Sequence, residues 1–319
     1  MNPLVTIVTP VYNGQEFINR LLDSVVMQDY PNIQFIIVDD GSTDNTKKII
    51  ENYTAKFFEK NIDFQYIYQN NQGQSFAVKN ALQYVKGHYL TWIDSDDFYY
   101  QEKSISNLLA PLLDSLYMVA RGLPIYFNGS NFYNKEFKIS TKENLFNDCL
   151  FVTNDFWFGG YMINFNYYKL LNCHLSFYCE KDTGQNWQLL LPILFENKCF
   201  TSDQNFYCIY EREDSHSRGA YKKPHEIEKK YNAYINTLIQ TLKIINIDGK
   251  LYDQYVVNIK RQYYRRIFDE VALIDRFRAK IILKKYNVFL DNRLKLYLKT
   301  TFFYRIYRKL MNKVGGHNV

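Results

Sequence analysis

A chain of 319 residues is long enough for one large α/β domain with an extension, or for two smaller domains. Hydrophobic residues make up 47% and aromatics 18%, with 13 Gly and 7 Pro, a balance that excludes a disordered or low-complexity protein. The net charge of +6 conceals a split: residues 250–319 carry 17 Lys and Arg against 5 Asp and Glu, a net of +12, which leaves −6 for residues 1–249 and predicts different partners for the two parts.

The first hundred residues alternate strands with helices. LVTIVT (4–9), FIIVD (35–39), FQYIY (64–68) and YLTWID (89–94) are short β-rich runs. After the first, Phe17, Leu21, Leu22, Val25 and Val26 recur at helical spacing and form one apolar face. Ser42 and Thr43 are expected to cap a helix running through Ile49, Ile50 and Tyr53, and Gly73 precedes another through Phe76, Ala77, Leu82 and Val85. This repetition predicts a largely parallel sheet with helices on both faces, whose binding crevice lies beyond the carboxyl ends of the strands. Three polar clusters fall there: TPVYNG (9–14), VDDGSTD (38–44) and DSDD (94–97).

The last cluster places Asp94, Asp96 and Asp97 within four positions at a strand end. Carboxylates so close repel one another and resist burial, so the arrangement calls for a cation among them. From about 111 to 210 the pattern loosens, and the aromatic stretch NDFWFGGYMINFNYY (154–168) reads either as a pocket that stacks on sugar or apolar groups or as ordinary core. Beyond 225 the chain is helical with no returning strand pattern. Residues 256–313 interleave Lys and Arg with Tyr, Phe, Leu and Ile; a last helix would carry Leu296, Phe303, Tyr307 and Leu310 on one face. That composition suits an anionic membrane surface, with packing on the first part of the chain or dimer formation as the other readings. No nucleic-acid-binding module is recognisable, so no nucleic-acid partner is expected.

The opening MNPLVTIVTPVYNG lacks a basic segment followed by an apolar run, and no stretch of about 18 apolar residues occurs, so neither a signal peptide nor a spanning helix is expected. Five cysteines, Cys149, Cys173, Cys179, Cys199 and Cys208, show no CxxC spacing and predict reduced structural thiols in a cytoplasmic protein. With a tail that meets the membrane, the expected location is the inner face of the plasma membrane.

Taken in order, VTIVTPVYNGQEFINRLLDSVVMQDYPNIQFIIVDDGSTDNT and GQSFAVKNALQYVKGHYLTWIDSDD resemble glycosyltransferase family 2, the inverting enzymes of the GT-A fold, almost continuously over residues 4–97. The resemblance implies an α/β GT-A fold with a mostly parallel central sheet, a catalytic domain over 1–222 and a basic helical extension over 223–319. It implies a nucleotide-sugar donor, UDP-linked by expectation, and an acceptor hydroxyl on a membrane-associated glycan precursor, in bacterial capsule, exopolysaccharide or lipooligosaccharide assembly. Asp40 falls where the family contacts the base, Pro10 and Tyr12 where it borders base and ribose, and Lys79 at a basic family position. The DxD pair falls on Asp94 and Asp96, with Ser95 between them in the donor-binding set. Asp96 is expected to ligate Mn²⁺ or Mg²⁺ directly, and Asp94 to hold ribose or a metal-bound water. YEREDSHSR (210–218) resembles the late loop that closes over the diphosphate, with Arg212 suited to phosphate and His216 to metal or phosphate.

One departure matters. The family's catalytic base sits in an acidic pair opening a helix, where GQNWQLLLPILF (184–195) carries Gln185 and Asn186. An amide cannot take a proton at neutral pH. Asp182, ahead of Glu180, is the expected substitute at the same helix N-terminus, with Asn186 facing the acceptor. The alternative is a catalytically silent member that binds nucleotide-sugar or a partner protein. The absence of GxGxxG after the first strand argues against a dinucleotide-dependent oxidoreductase.

Overall fold

The computed structural model describes residues 2–135, 142–154, 156–212 and 223–288. It divides into two units, Met1–Arg212 with Thr237–Asn246, and Glu213–Asn236 with Ile247–Val319.

In the first unit, β1 (Val5–Val11), α1 (Ile18–Val26), β2 (Ile33–Asp39), the helices α2 (Thr46–Glu51) and α3 (Thr54–Glu59), β3 (Asp63–Tyr68), α4 (Gln74–Leu82) and β4 (Tyr89–Trp92) follow one another as the alternation predicts. The apolar runs bury on both faces: every residue of β1 and of β2 is buried, which explains why these strands read as near-continuous hydrophobic stretches. On α1, Ile18, Leu21, Leu22 and Val25 turn inward. The chain continues through β5 (Phe98–Tyr99), α5 (Ser104–Leu109), β6 (Val119–Phe127), β7 (Phe132–Tyr133), α6 (Phe146–Phe151), β8 (Tyr161–Asn164), α7 (Phe165–Leu170), α8 (Asn186–Leu194) and β9 (Cys199–Tyr210). The strands order as β3-β2-β1-β4-β8-β6-β9-β5, with β7 on β6.

β1 pairs in parallel with β2 on one side and β4 on the other, and β2 in parallel with β3. β8 then inserts antiparallel between β4 and β6. The chain leaves β1 in one direction and returns on its other side at β4, so the carboxyl ends of β1, β2 and β4 border one crevice.

Two local expectations change. Ser42 and Thr43 do not cap a helix: Ser42 Oγ accepts from the Asn13 backbone N–H at 2.9 Å, and Asp44 Oδ1 instead accepts from the Thr46 N–H at 3.0 Å. The single helix expected through Tyr53 is two short ones, broken at Asn52 and Tyr53. The aromatic stretch is core: Phe156, Trp157, Tyr161, Phe165 and Tyr168 are all buried.

The second unit is helical in its described part. α9 (Pro224–Lys243) begins in it, followed by α10 (Gly249–Ile274), which Asp248 caps, and α11 (Arg276–Lys285), which Asp275 caps through the Arg278 N–H. Glu228 on α9 accepts from Arg278 (3.0 Å) and Lys285 (2.8 Å) of α11, and Tyr286 stacks on Tyr264 at 4.2 Å. No described helix is long and apolar enough to cross a membrane. The terminal helix expected over 295–313 lies outside the described residues.

Candidate active site

The first two loops are joined side chain to backbone. Asn13, with φ +50°, accepts from the Thr43 N–H through Oδ1 at 2.9 Å, while its own N–H reaches Ser42 Oγ. The Gly14 N–H donates to Thr46 Oγ1 at 2.7 Å. Gly41 is required where it stands: φ is +83°, and a Cβ there would lie 2.8 Å from the Asn71 backbone nitrogen. Pro10 is buried at the end of β1, and Tyr12 is 48% exposed beside the crevice.

The two aspartates ending β2 divide the work. Asp39 accepts from the Ser42 N–H and the Tyr66 hydroxyl. Asp40, 3% exposed, accepts from Gln69 Nε2 (2.7 Å), the Gln72 N–H (2.9 Å) and the Gly73 N–H (2.7 Å). Its carboxylate therefore fixes the turn that opens α4, with three of about four lone-pair sites used. Lys79 lies exposed on α4.

The DxD segment also assigns a separate task to each carboxylate. Asp97, 7% exposed, accepts from the Tyr207 hydroxyl at 2.6 Å and the Tyr210 N–H at 2.9 Å, pinning β9 to the end of β4. Half-buried Asp94 receives two amides on one oxygen, Gln74 Nε2 at 2.7 Å and Gln185 Nε2 at 3.3 Å. Burial and the Asp96 charge push its carboxyl up to about 6, against those two hydrogen bonds. Asp96 meets Arg212, whose Nη2 and Nε lie 2.9 and 3.2 Å from Oδ2, and the guanidinium covers the Phe17 ring at 4.3 Å. Ser95 is half-buried between the pair. The cation that the carboxylate cluster called for is thus, in this structure, an arginine from the end of β9.

The start of α8 closes the crevice from the other side. Trp92 Nε1 donates to Asn186 Oδ1 at 2.7 Å. An indole N–H can only donate, so it fixes the amide with Oδ1 toward Trp92 and Nδ2 away from it. Upstream, Ser75 Oγ and Thr183 Oγ1 donate to the Glu180 carbonyl, tying this turn to α4, and Glu180 Oε2 accepts from the Tyr178 hydroxyl at 2.6 Å. Asp182 is exposed, with φ +68°. The structure thus brings Asp94, Asp96, Ser95, Arg212 and Asn186 to the end of β4, with Asp40, Pro10 and Tyr12 at the neighbouring strand ends and Glu180 and Asp182 on the turn against α4. His216 lies outside the described residues.

The sequence alone assigned no site role to Trp92 or Gln74, and put Phe17 only on the apolar face of α1. Trp92 stands two residues before Asp94, the spacing that puts side chains on one side of a strand, and could have been found that way. Gln74 carries no such signal, since its contact depends on how α4 meets β4.

The model of glycosyl transferase family 2 matches residues 6–177. The chain belongs to glycosyl transferase family 2. Among family relatives, the putative teichuronic acid biosynthesis glycosyltransferase TuaG of Bacillus subtilis is 37% identical over 101 residues, 32% of this chain and 39% of TuaG. Glycosyltransferase GlyA of Streptococcus pneumoniae is 32% identical over 154 residues, 44% of this chain and 21% of GlyA. An uncharacterized glycosyltransferase of Rickettsia typhi is 38% identical over 102 residues, 32% of this chain and 30% of the relative. The chain thus spans less than half the length of each. The solved structure of Staphylococcus aureus TarS 1–349 with UDP-GlcNAc superposes with a TM-score of 0.61 at 19% identity, covering 88% of this chain and 83% of that one. The mannosyltransferase PcManGT of Pyrobaculum calidifontis, with GDP-Man and Mn²⁺, gives 0.57 at 14% identity, covering 96% and 83%. The fold is GT-A, as the family 2 resemblance implied.

Proposed function

We propose that this family 2 chain is an inverting glycosyltransferase that moves a sugar from a nucleotide donor, UDP-linked in our reading, to a hydroxyl of a membrane-associated glycan precursor in bacterial surface-polysaccharide assembly. The observation that carries it is the convergence of Asp94, Asp96 and Arg212 at the end of β4, next to the β1 loop, with the β2 loop on the far side of β1. In this proposal residues 1–222 form the catalytic domain and 223–319 the basic extension that meets an anionic membrane or a second copy.

The donor set fits a hard divalent ion. Asp94 and Asp96 offer carboxylate oxygens, the hard donors such an ion takes together with phosphate and water. Asp96 and Asp94 would hold Mn²⁺ or Mg²⁺, with His216 as a further candidate. When bound there the ion supplies Lewis-acid stabilisation of the charge that builds on the departing diphosphate. Arg212, now on Asp96, would shift its guanidinium to a phosphate oxygen when the donor binds. Asp40 keeps one lone-pair site for a base N–H and, with Pro10, Tyr12 and Lys79, would border the nucleotide. At the acceptor side Asn186 presents Nδ2 to an acceptor oxygen, while Asp182, or Glu180, would take the proton that the hydroxyl loses.

A second reading, a silent member that binds nucleotide-sugar without transfer, is favoured by one observation: both residues opening α8 are amides, and both are engaged by β4-end residues, Asp94 and Trp92. Measuring sugar transfer and UDP affinity on the same preparation separates the two. Transfer that needs Mn²⁺ or Mg²⁺ and is lost in Asp96→Ala supports the enzyme, whereas tight UDP binding with no transfer to any acceptor supports the silent member.

A further inference from the structure

The inner face of α11 is accounted for: Ala279 and Ile282 are buried, and Arg278 and Lys285 bind Glu228. This fixes the rotation of the helix about its axis and so decides what points outward. The outward side is not the polar face that a surface helix usually presents. Phe277 is 77% exposed and Ile281 40%, four residues apart, and the end of α10 adds exposed Leu273 and Ile274. Alongside run Arg276, Lys280 and Lys284, all exposed and again four residues apart. α11 contains no acidic residue. Of the described acids nearest in sequence, Asp275 caps the helix, Asp269 pairs with Arg265 and Glu270 accepts from Tyr231.

We propose that the outward face of α11, with the end of α10, is a membrane-docking edge that takes an anionic lipid surface, Phe277 and Ile281 entering the headgroup boundary while Lys280 and Lys284 meet lipid phosphates. The inference rests on the membrane reading above and gives it a described location. Single exposed apolar residues are ordinary on protein surfaces. Here an apolar row lies beside a cationic row with no acid on the helix, and that pairing matches the interfacial-helix pattern and the charge of an anionic leaflet. An acidic protein groove would be met by the cations equally well but would need no depth of insertion.

The test uses the full chain with vesicles of phosphatidylcholine alone or mixed with phosphatidylglycerol. Sedimentation should show binding to the anionic vesicles only. Lys280→Gln with Lys284→Gln should weaken it by about five-fold for each charge, roughly 25-fold together. Phe277→Trp should keep binding, and the fluorescence of the introduced indole should be quenched by brominated acyl chains, which reports insertion directly. Phe277→Asp should lose binding while keeping the wild-type helical circular dichroism. Failure of the wild-type chain to bind anionic vesicles overturns the membrane reading itself. Wild-type binding that survives in the double glutamine variant, with no quenching in Phe277→Trp, overturns the α11 assignment and leaves membrane contact to residues 289–319. Vesicle binding by Phe277→Trp without quenching excludes insertion and likewise overturns the proposal.

Discussion

Replacing Asp97 by alanine should separate the structural aspartate of the DSDD segment from the others. Its carboxylate is 7% exposed and holds two donors of β9, the Tyr207 hydroxyl and the Tyr210 N–H. Tyr207 is itself 3% exposed, so the freed groups cannot recover water easily. An unsatisfied buried polar group costs about 1–3 kcal/mol, so two cost about 2–6 kcal/mol. Part is offset, because burial and then the charges of Asp96 and Asp94 already push the Asp97 carboxyl well above its usual range, and removing it relieves that strain. The expected net loss is about 2–4 kcal/mol. For Asp96→Ala the expectation is below about 1 kcal/mol, since Asp96 and Arg212 are partly exposed and the guanidinium can turn to water. Urea unfolding followed by tyrosine and tryptophan fluorescence measures both, with the midpoint lowered and the slope unchanged for Asp97→Ala. Asp97→Asn, which keeps one acceptor oxygen, should fall between. Equal stabilities for Asp97→Ala and the wild type, or a larger loss for Asp96→Ala, would mean that Asp97 does not hold β9 in place.

Asp182→Asn should lower the transfer rate by about 10²-fold or more with nucleotide affinity nearly unchanged, and Asn186→Ala should act mainly on the acceptor KM; unaltered transfer in both Asp182→Asn and Glu180→Gln would remove the substitute base. Glu228→Gln should destabilise the helical unit by about 1–3 kcal/mol, because hydrogen bonds to charged partners are lost. Burial raises the Glu228 carboxyl, but Lys285 and Arg278 outweigh it and hold the group below its ordinary 4.5, so its contribution is complete above that value and fades as pH falls through the depressed one. Wild type and Glu228→Gln should therefore converge in stability at low pH, and a constant gap in melts taken down to acid would contradict this. Cys149, Cys173, Cys199 and Cys208 are buried, whereas burial pushes the part-exposed Cys179 thiol up to about 11; a disulfide-exchange reagent should modify Cys179 first, slowly, and faster as pH rises.

Much of the fold was legible because its signals are local. β1 and β2 are buried on both faces, and only near-continuous apolar runs satisfy that, so LVTIVT and FIIVD announced themselves. The three polar clusters could be placed together because parallel strands put their carboxyl ends on one side. What remained hidden depends on partners far apart in the chain. That Asp40 fixes the Gln69–Gly73 turn follows from backbone N–H groups some thirty positions away. That Asp97 is structural follows from Tyr207, 110 positions on. The aromatic stretch was ambiguous because stacking rings and core rings share a composition, and the burial of Phe156, Trp157 and Tyr161 resolves it as core. At α8 the amide pair was visible in sequence, but its clasp on Asp94 and Trp92 was not.

In our proposal the DxD carboxylates at the end of β4 serve a nucleotide-sugar donor through a divalent ion. UDP release from a panel of UDP-sugars, with Mn²⁺ or with chelator, in the wild type and in Asp96→Ala, decides this. The account predicts turnover with Mn²⁺ for at least one donor, none in chelator, and a loss of at least about two orders of magnitude in Asp96→Ala, the equivalent of roughly 3 kcal/mol of transition-state charge stabilisation. Undiminished turnover in chelator, or in Asp96→Ala, would contradict it.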